Sequence, residues 1–279
     1  KKMKFSRYTL ILLFMVFRHS MSFATPQIQD KLIYNGDTLS VSLYLPDNFY
    51  ESDTLIVDLF GGRKTCEITN CGRGYVAYWE ITDNQLYLTN IFSCCFYKDS
   101  IQANLRELFN GKVENNRVKA EWITTKAFFQ RGERIAEIDS YLSIYKNDFE
   151  FEFEKGKMVD LKKYDNSKSR ISTFSHDKDS IDNFIYTHIN WNKIPKLNEP
   201  IKVIVKFSAN EKGKVDKVDI VRGAGQNQAF DKEVIRTLKQ IHDWDIFFLK
   251  GRHLRLPWIY PITISEEKRI EYMKKMPNR

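Results

Sequence analysis

The chain has 279 residues, enough for two domains that each bury a core, and its content of 42% hydrophobic, 14% aromatic and 29% charged residues excludes a disordered polymer. The formal charge of +8 first suggests a nucleic-acid or membrane-surface binder, yet five of the 44 basic residues are Lys1, Lys2, Lys4, Arg7 and Arg18, in a stretch without acids. From residue 25 onward 39 basic side chains face 36 acidic ones, a net of +3, which removes nucleic acid as an expected partner.

Residues 1–24 have the layout of a secretory signal: a basic start, the eight apolar residues Leu10 to Phe17, and small residues at Ser22 and Ala24. Such a run covers roughly 12 Å as a helix, far less than the roughly 30 Å of a hydrocarbon core. Cleavage after Ala24 is therefore expected, with export of the mature chain to the periplasm. No cysteine stands at the cleavage point, so no lipid anchor is expected there, and the membrane is reached only through a partner unless the segment is retained.

Residues 25–165 read as a β-rich domain of no familiar type. Leu39, Val41, Leu43 and Leu45 alternate with polar residues, as do Leu55, Val57 and Leu59. Gly61, Gly62, Arg63, Lys64 and Thr65 lack the spacing of a phosphate-binding loop and read as a turn. YVAYWEI and QLYLTNI flank Asp83 and Asn84 as a hairpin. Ile101, Leu105, Leu108 and Phe109 fall at helical spacing before Gly111, and Val118, Ala120 and Trp122 resume the alternation. In an oxidising compartment Cys66, Cys71, Cys94 and Cys95 are expected to form disulfides. A bond between adjacent Cys94 and Cys95 would need a strained ring, so the bonds should run from Cys66 and Cys71 across to that pair. A zinc site is disfavoured, because neighbouring cysteines on a strand point to opposite faces.

Phe149, Phe151 and Phe153 alternate with Glu150, Glu152 and Glu154, which predicts a strand with one core face and one acidic face. The acidic face is either solvated or a dock for a basic partner. Lys155 and Gly156 then turn the chain into KMVDLKKY. Residues 166–180, rich in Ser, Asp and Lys, are taken as a linker. Beyond it, Ile181, Phe184, Ile185, His188 and Ile189 share a helical stripe, with His188 a core histidine. Ile201, Val203, Val205 and Phe207 alternate as a strand that turns at residues 210–213 into Val215, Val218 and Ile220. A second helix carries Phe230, Val234, Leu238 and Ile241, with Asn227 as its cap. Leu254, Leu256, Trp258, Tyr260, Ile262 and Ile264 predict one final strand. Pro257 and Pro261 leave its odd-numbered edge short of donors.

The order FIYTHINWNKIP, IKVIVKFSANEKGKVDKVDIVRG, FDKEVIRTLKQIHDW and LRLPWIYPITIS resembles the TonB carboxy-terminal domain over residues 181–265, followed by a charged tail at 266–279. The overall expectation is an α+β protein: a β-rich domain, then a small TonB-C-like domain of helix, β-hairpin, helix and final edge strand. The resemblance implies a module that binds periplasmic or outer-membrane proteins by strand addition along the last strand. Carried over by position, contact falls to Arg255, Trp258, Ile259 and Tyr260. The Pro-rich spacer and membrane anchor of an energy transducer are missing from this pattern, so transduction ranks second. An inhibitor or immunity-type protein is a third reading. Scattered histidines and the absence of GxSxG or HExxH predict no catalytic residues, cofactor or metal.

Overall fold

The computed structural model describes residues 27–275, apart from residues 52, 53, 56, 140 and 226. The expected signal segment and its cleavage point at Ala24 lie outside the described residues. The architecture is mixed α+β, with a large twisted sheet in the first part and a helix-covered three-stranded sheet in the second.

The large sheet uses β1 (Asp30–Tyr34), β2 (Asp37–Val41), β5 (Tyr75–Thr82), β6 (Gln85–Ser93), β9 (Thr125–Glu137), β10 (Ser143–Glu154) and β11 (Lys157–Asp165). The order is β2-β1-β5-β6-β11-β10-β9. The pair β7 (Val113–Glu114) and β8 (Arg117–Lys119) joins at β6, and β3 (Tyr50–Glu51) pairs with β4 (Thr54–Leu55) apart from it. Among the described strands of this sheet, only β1 and β5 run parallel. Alternation sends Leu32, Trp79, Leu86, Leu88, Phe151 and Phe153 into one fully buried core. Asp83 and Asn84 both take positive φ, as a tight two-residue hairpin requires.

Several expectations are corrected here. Leu43 and Leu45 are buried as predicted, but their segment pairs with no strand. The alternation at Val57 and Leu59 gives a turn and not a strand. Of the helix expected from Ile101, only α2 (Leu105–Phe109) forms, because Gln102 bridges to Phe92, and a separate short helix, α1 (Phe96–Asp99), precedes it. The acidic face of β10 is not simply solvated, since two of its three glutamates have lysine partners within the sheet. Glu150 is buried beside Lys126 at 3.4 Å, and Glu152 lies 3.2 Å from Lys126 and 3.7 Å from Lys162.

Residues 166–180 do not form a loose linker. Asn166 is fully buried, and Ser172 caps α3 (Thr173–His176) before Asp177 caps α4 (Lys178–His188). The second core lies between α4, α5 (Gln228–Leu238) and a sheet ordered β13-β12-β16, from β12 (Ile201–Ala209), β13 (Val215–Arg222) and β16 (Trp258–Ile264). Asn227 caps α5 by accepting the Ala229 N–H.

The expected single strand from Leu254 to Ile264 is two elements. Residues up to Leu254 belong to a hairpin of β14 (Phe247–Leu249) and β15 (Arg252–Leu254), turned by Lys250 and Gly251 at positive φ. Leu254 and Leu256 pack with Ala136, Ile144 and Phe247, on the large sheet's side, whereas Trp258 onward joins the second core. The expected charged tail is helical at α6 (Glu266–Lys275). Its Tyr272 is buried, and Arg269 donates to the carbonyls of Trp191, Ile194 and Pro195.

Candidate interaction surface on the C-terminal sheet

The central strand β12 sends Val203, Val205 and Phe207 into the core under the helices and turns Lys202, Ile204, Lys206 and Ser208 to the opposite face. Pro261 stands opposite Ile204, and it has no N–H to give. That pair is therefore of the non-bonded kind, so the even residues of β12 direct their backbone groups to β13. It follows that Ile259 and Pro261 turn theirs outward on β16, and that Val218 and Ile220 do so on β13.

Each outward edge is interrupted. On β16, Pro261 withdraws a donor from the middle of the strand. On β13, register shifts at Ile204/Val205 and Ser208/Ala209 leave only the four residues Lys217–Ile220 in regular pairing with β12. Bulges and prolines of this sort twist or blank an edge and oppose the addition of a further strand.

The outer face carries more chemistry than the edges do. Pairing across the sheet aligns Arg222, Ile204 and Pro261 in one row, and Asp219, Lys206 and Ile259 in the next. Lys217 and Ser208 begin a third row, which Arg255 completes. Ile259 is 65% exposed and Val221 57%, so two aliphatic side chains stand in water among lysines. Lys206, Ser208, Lys217, Asp219, Arg255 and Pro257 bound a notch of about 190 Å³. The buried Ser208 hydroxyl forms its floor and accepts from the Arg255 guanidinium at 3.3 Å. Asp216 receives the same guanidinium at 2.5 and 3.3 Å, and this pairing holds its carboxyl below the ordinary range.

Of the four residues expected to make contact, the structure leaves Ile259 free and gives the others internal partners. Arg255 is held by Asp216 and Ser208. Trp258 is half-buried, edge-on to Trp244 at 5.8 Å between ring centres. Tyr260 donates its hydroxyl to Asp182 at 2.8 Å, and desolvation with that bond pushes its own titration above the tyrosine range. Periodicity missed Lys206, Lys217 and Val221. Cross-strand register places Lys206 beside Ile259 and Lys217 beside Ser208, while Val221 falls at the irregularity between Ile220 and Arg222, and none of this is readable until the bulges are known.

The four cysteines form Cys66–Cys95 and Cys71–Cys94, so both bonds run from the earlier pair to the adjacent one. The Gly61–Gly62 segment is a turn closed on Asp58, whose carboxylate accepts the Phe60 and Gly62 N–H groups that a phosphate loop would have to leave open. His188 sits at the margin of its helical stripe, half-buried and stacked on Phe184 at 4.0 Å. A cavity of about 390 Å³ beside it includes Lys193, Arg236 and Gln240, but Arg236 is already clamped by buried Glu233. Among the described residues no group of three or more His, Cys, Asp or Glu side chains is placed to hold a metal ion, and no helix is long and apolar enough to cross a membrane. Comparisons with protein-family models, curated proteins and solved structures yield no match to the chain.

Proposed function

We propose that this is an extracytoplasmic binding protein that recognises another protein through the outer face of its C-terminal sheet. The observation that carries the reading is Ile259, an aliphatic residue 65% exposed on edge strand β16, on the sheet face opposite the helices. Two disulfides suit an oxidising, extracytoplasmic setting. Recognition by side chains fits better than strand addition, because Pro261 and the two bulges interrupt both edges of the sheet. The TonB-like order of elements is consistent with a binding module, but it supplies no motor coupling, and nothing on this face resembles a catalytic arrangement.

The test is a photo-crosslinking amino acid placed at Ile259 in the native host, with a control at exposed Lys232 on α5. One adduct specific to position 259, identified by mass spectrometry as an extracytoplasmic protein, is the expected result. An exported, oxidised and folded chain that gives no adduct at 259 beyond the Lys232 control would remove the reading.

A further inference from the structure

The rows across the outer face can be assigned a charge preference. Five basic side chains, Lys202, Lys206, Lys217, Arg222 and Arg255, share the face and its margin with two acids, Asp216 and Asp219. Asp216 is consumed by Arg255, and Asp219 lies opposite Lys206. Five cations against two carboxylates leave an excess of three, and Lys202, Lys206, Lys217 and Arg222 flank an aliphatic strip of half-buried Ile204 and exposed Val221, Ile259 and Pro261. The rest of the chain is nearly balanced in charge from residue 25 onward, so this excess is local.

We infer that the partner presents an acidic surface with aliphatic residues beside its carboxylates, one carboxylate entering the notch between Lys206 and Lys217. The lining of the notch sets Lys206 and Lys217 against the single carboxylate of Asp219, with Arg255 already paired to Asp216. Arg255 is immobilised by Asp216 and Ser208, which leaves the two lysine ammonium groups as its mobile donors. A carboxylate there replaces water on the lysines without breaking the Arg255–Asp216 pair, while neighbouring aliphatic side chains cover Ile259 and Ile204. A basic partner would meet like charges on three sides. This assignment rests on the protein-binding reading above and adds the chemistry of the occupant.

The probes are two capped heptapeptides, Ac-Ser-Glu-Leu-Ser-Asp-Leu-Ser-amide and its counterpart with Lys at both acidic positions, titrated into the isotope-labelled mature chain and followed by amide shifts. The acidic peptide should shift Lys206, Ser208, Lys217 and Ile259 together. Its affinity should fall about fivefold or more in K206A/K217A and on raising salt from roughly 0.05 to 0.5 M. The basic peptide should leave these signals unmoved. Both lysines are exposed, so unchanged shifts in the core of the variant establish that it is folded. Equal binding of the two peptides, shifts scattered over the surface, no shifts, or indifference to K206A/K217A would each overturn the assignment. An adduct at position 259 alongside any of these results would discard only the acidic chemistry; loss of the adduct as well would discard the binding surface.

Discussion

Asp30 lies fully buried at the start of β1, and its carboxylate takes the Arg73 guanidinium at 2.7 Å, the Ala77 N–H at 3.0 Å and the Trp79 indole at 3.3 Å. Burial outweighs these partners and raises its titration above the usual 3.8. An ion pair of this kind is costly to break from one side, because the remaining charge stays buried. Arg73→Ala should therefore lose about 3 kcal/mol of stability in a denaturant melt, and a loss well under 1 kcal/mol would show that water reaches Asp30. Asp245 offers a cleaner pH test. It is buried, accepts the Ser172 N–H at 2.7 Å and the Ser175 hydroxyl, and is also raised above 3.8 by desolvation. A carboxyl with a raised folded value favours the fold most below its unfolded value, and the advantage fades as pH rises through the raised one. Asp245→Asn keeps an acceptor without the charge. The wild type should lose midpoint relative to D245N as the pH climbs from below 3.8 toward neutrality, and parallel curves would refute the account.

Individual elements were legible wherever a local signal sufficed. Asp83–Asn84 and Lys155–Gly156 marked their hairpins, and the caps at Asn227 and Asp177 follow the same local chemistry. Lys250–Gly251 repeats the Lys155–Gly156 pattern, so the β14–β15 hairpin was present in the sequence. The continuous even-numbered run from Leu254 to Ile264 hid it, since period-two alternation does not show that a strand has changed cores. Gly156 ties two elements together. Its carbonyl accepts the Leu86 N–H at 2.8 Å and its N–H donates to Ile123 at 2.7 Å, which attaches the β10–β11 hairpin to β6 where strand pairing is limited to Lys157 and Gln85. A Cβ at this position would meet the Ala120 carbonyl oxygen at 2.6 Å, with φ at +74°. Gly156→Ala should cost about 2 to 4 kcal/mol, and faster hydrogen exchange at Leu86 should accompany the loss. Gly225→Ala is the control: it shares positive φ but has open space around the added methyl, so its cost should stay near the conformational 1 to 2 kcal/mol.

At the scale of the whole molecule, the two cores meet through backbone groups that composition cannot announce. Asn166 donates to Tyr145 at 3.1 Å and Asp148 at 2.8 Å, and accepts the Gly251 N–H at 2.9 Å. Asp148 in turn accepts Lys250 N–H at 2.7 Å, Ser169 accepts Phe248 N–H at 2.7 Å, and Arg170 exchanges backbone bonds with Ile246. A segment rich in Ser, Asp and Lys reads as solvent-loving linker, yet here its Asn166 and Ser169 side chains satisfy backbone groups of a docked hairpin. Asn166→Ala leaves the Gly251 N–H and part of the Asp148 carboxylate without partners, a loss of about 2 to 3 kcal/mol. If this joint couples the cores, calorimetry should find one transition in the wild type and two in N166A. The two disulfides lie on the large-sheet side, in a small cluster with Val76, and bridge separations of 29 and 23 residues, each constraining the unfolded chain by about 3 kcal/mol. Reducing agent should consequently lower only one of the two transitions in N166A, while lowering the single transition of the wild type as a unit. A lone transition that persists in N166A, shifted as a whole by reductant, would mean that the cores unfold together through apolar contacts such as Ala136, Ile144 and Phe247 and not through the polar joint.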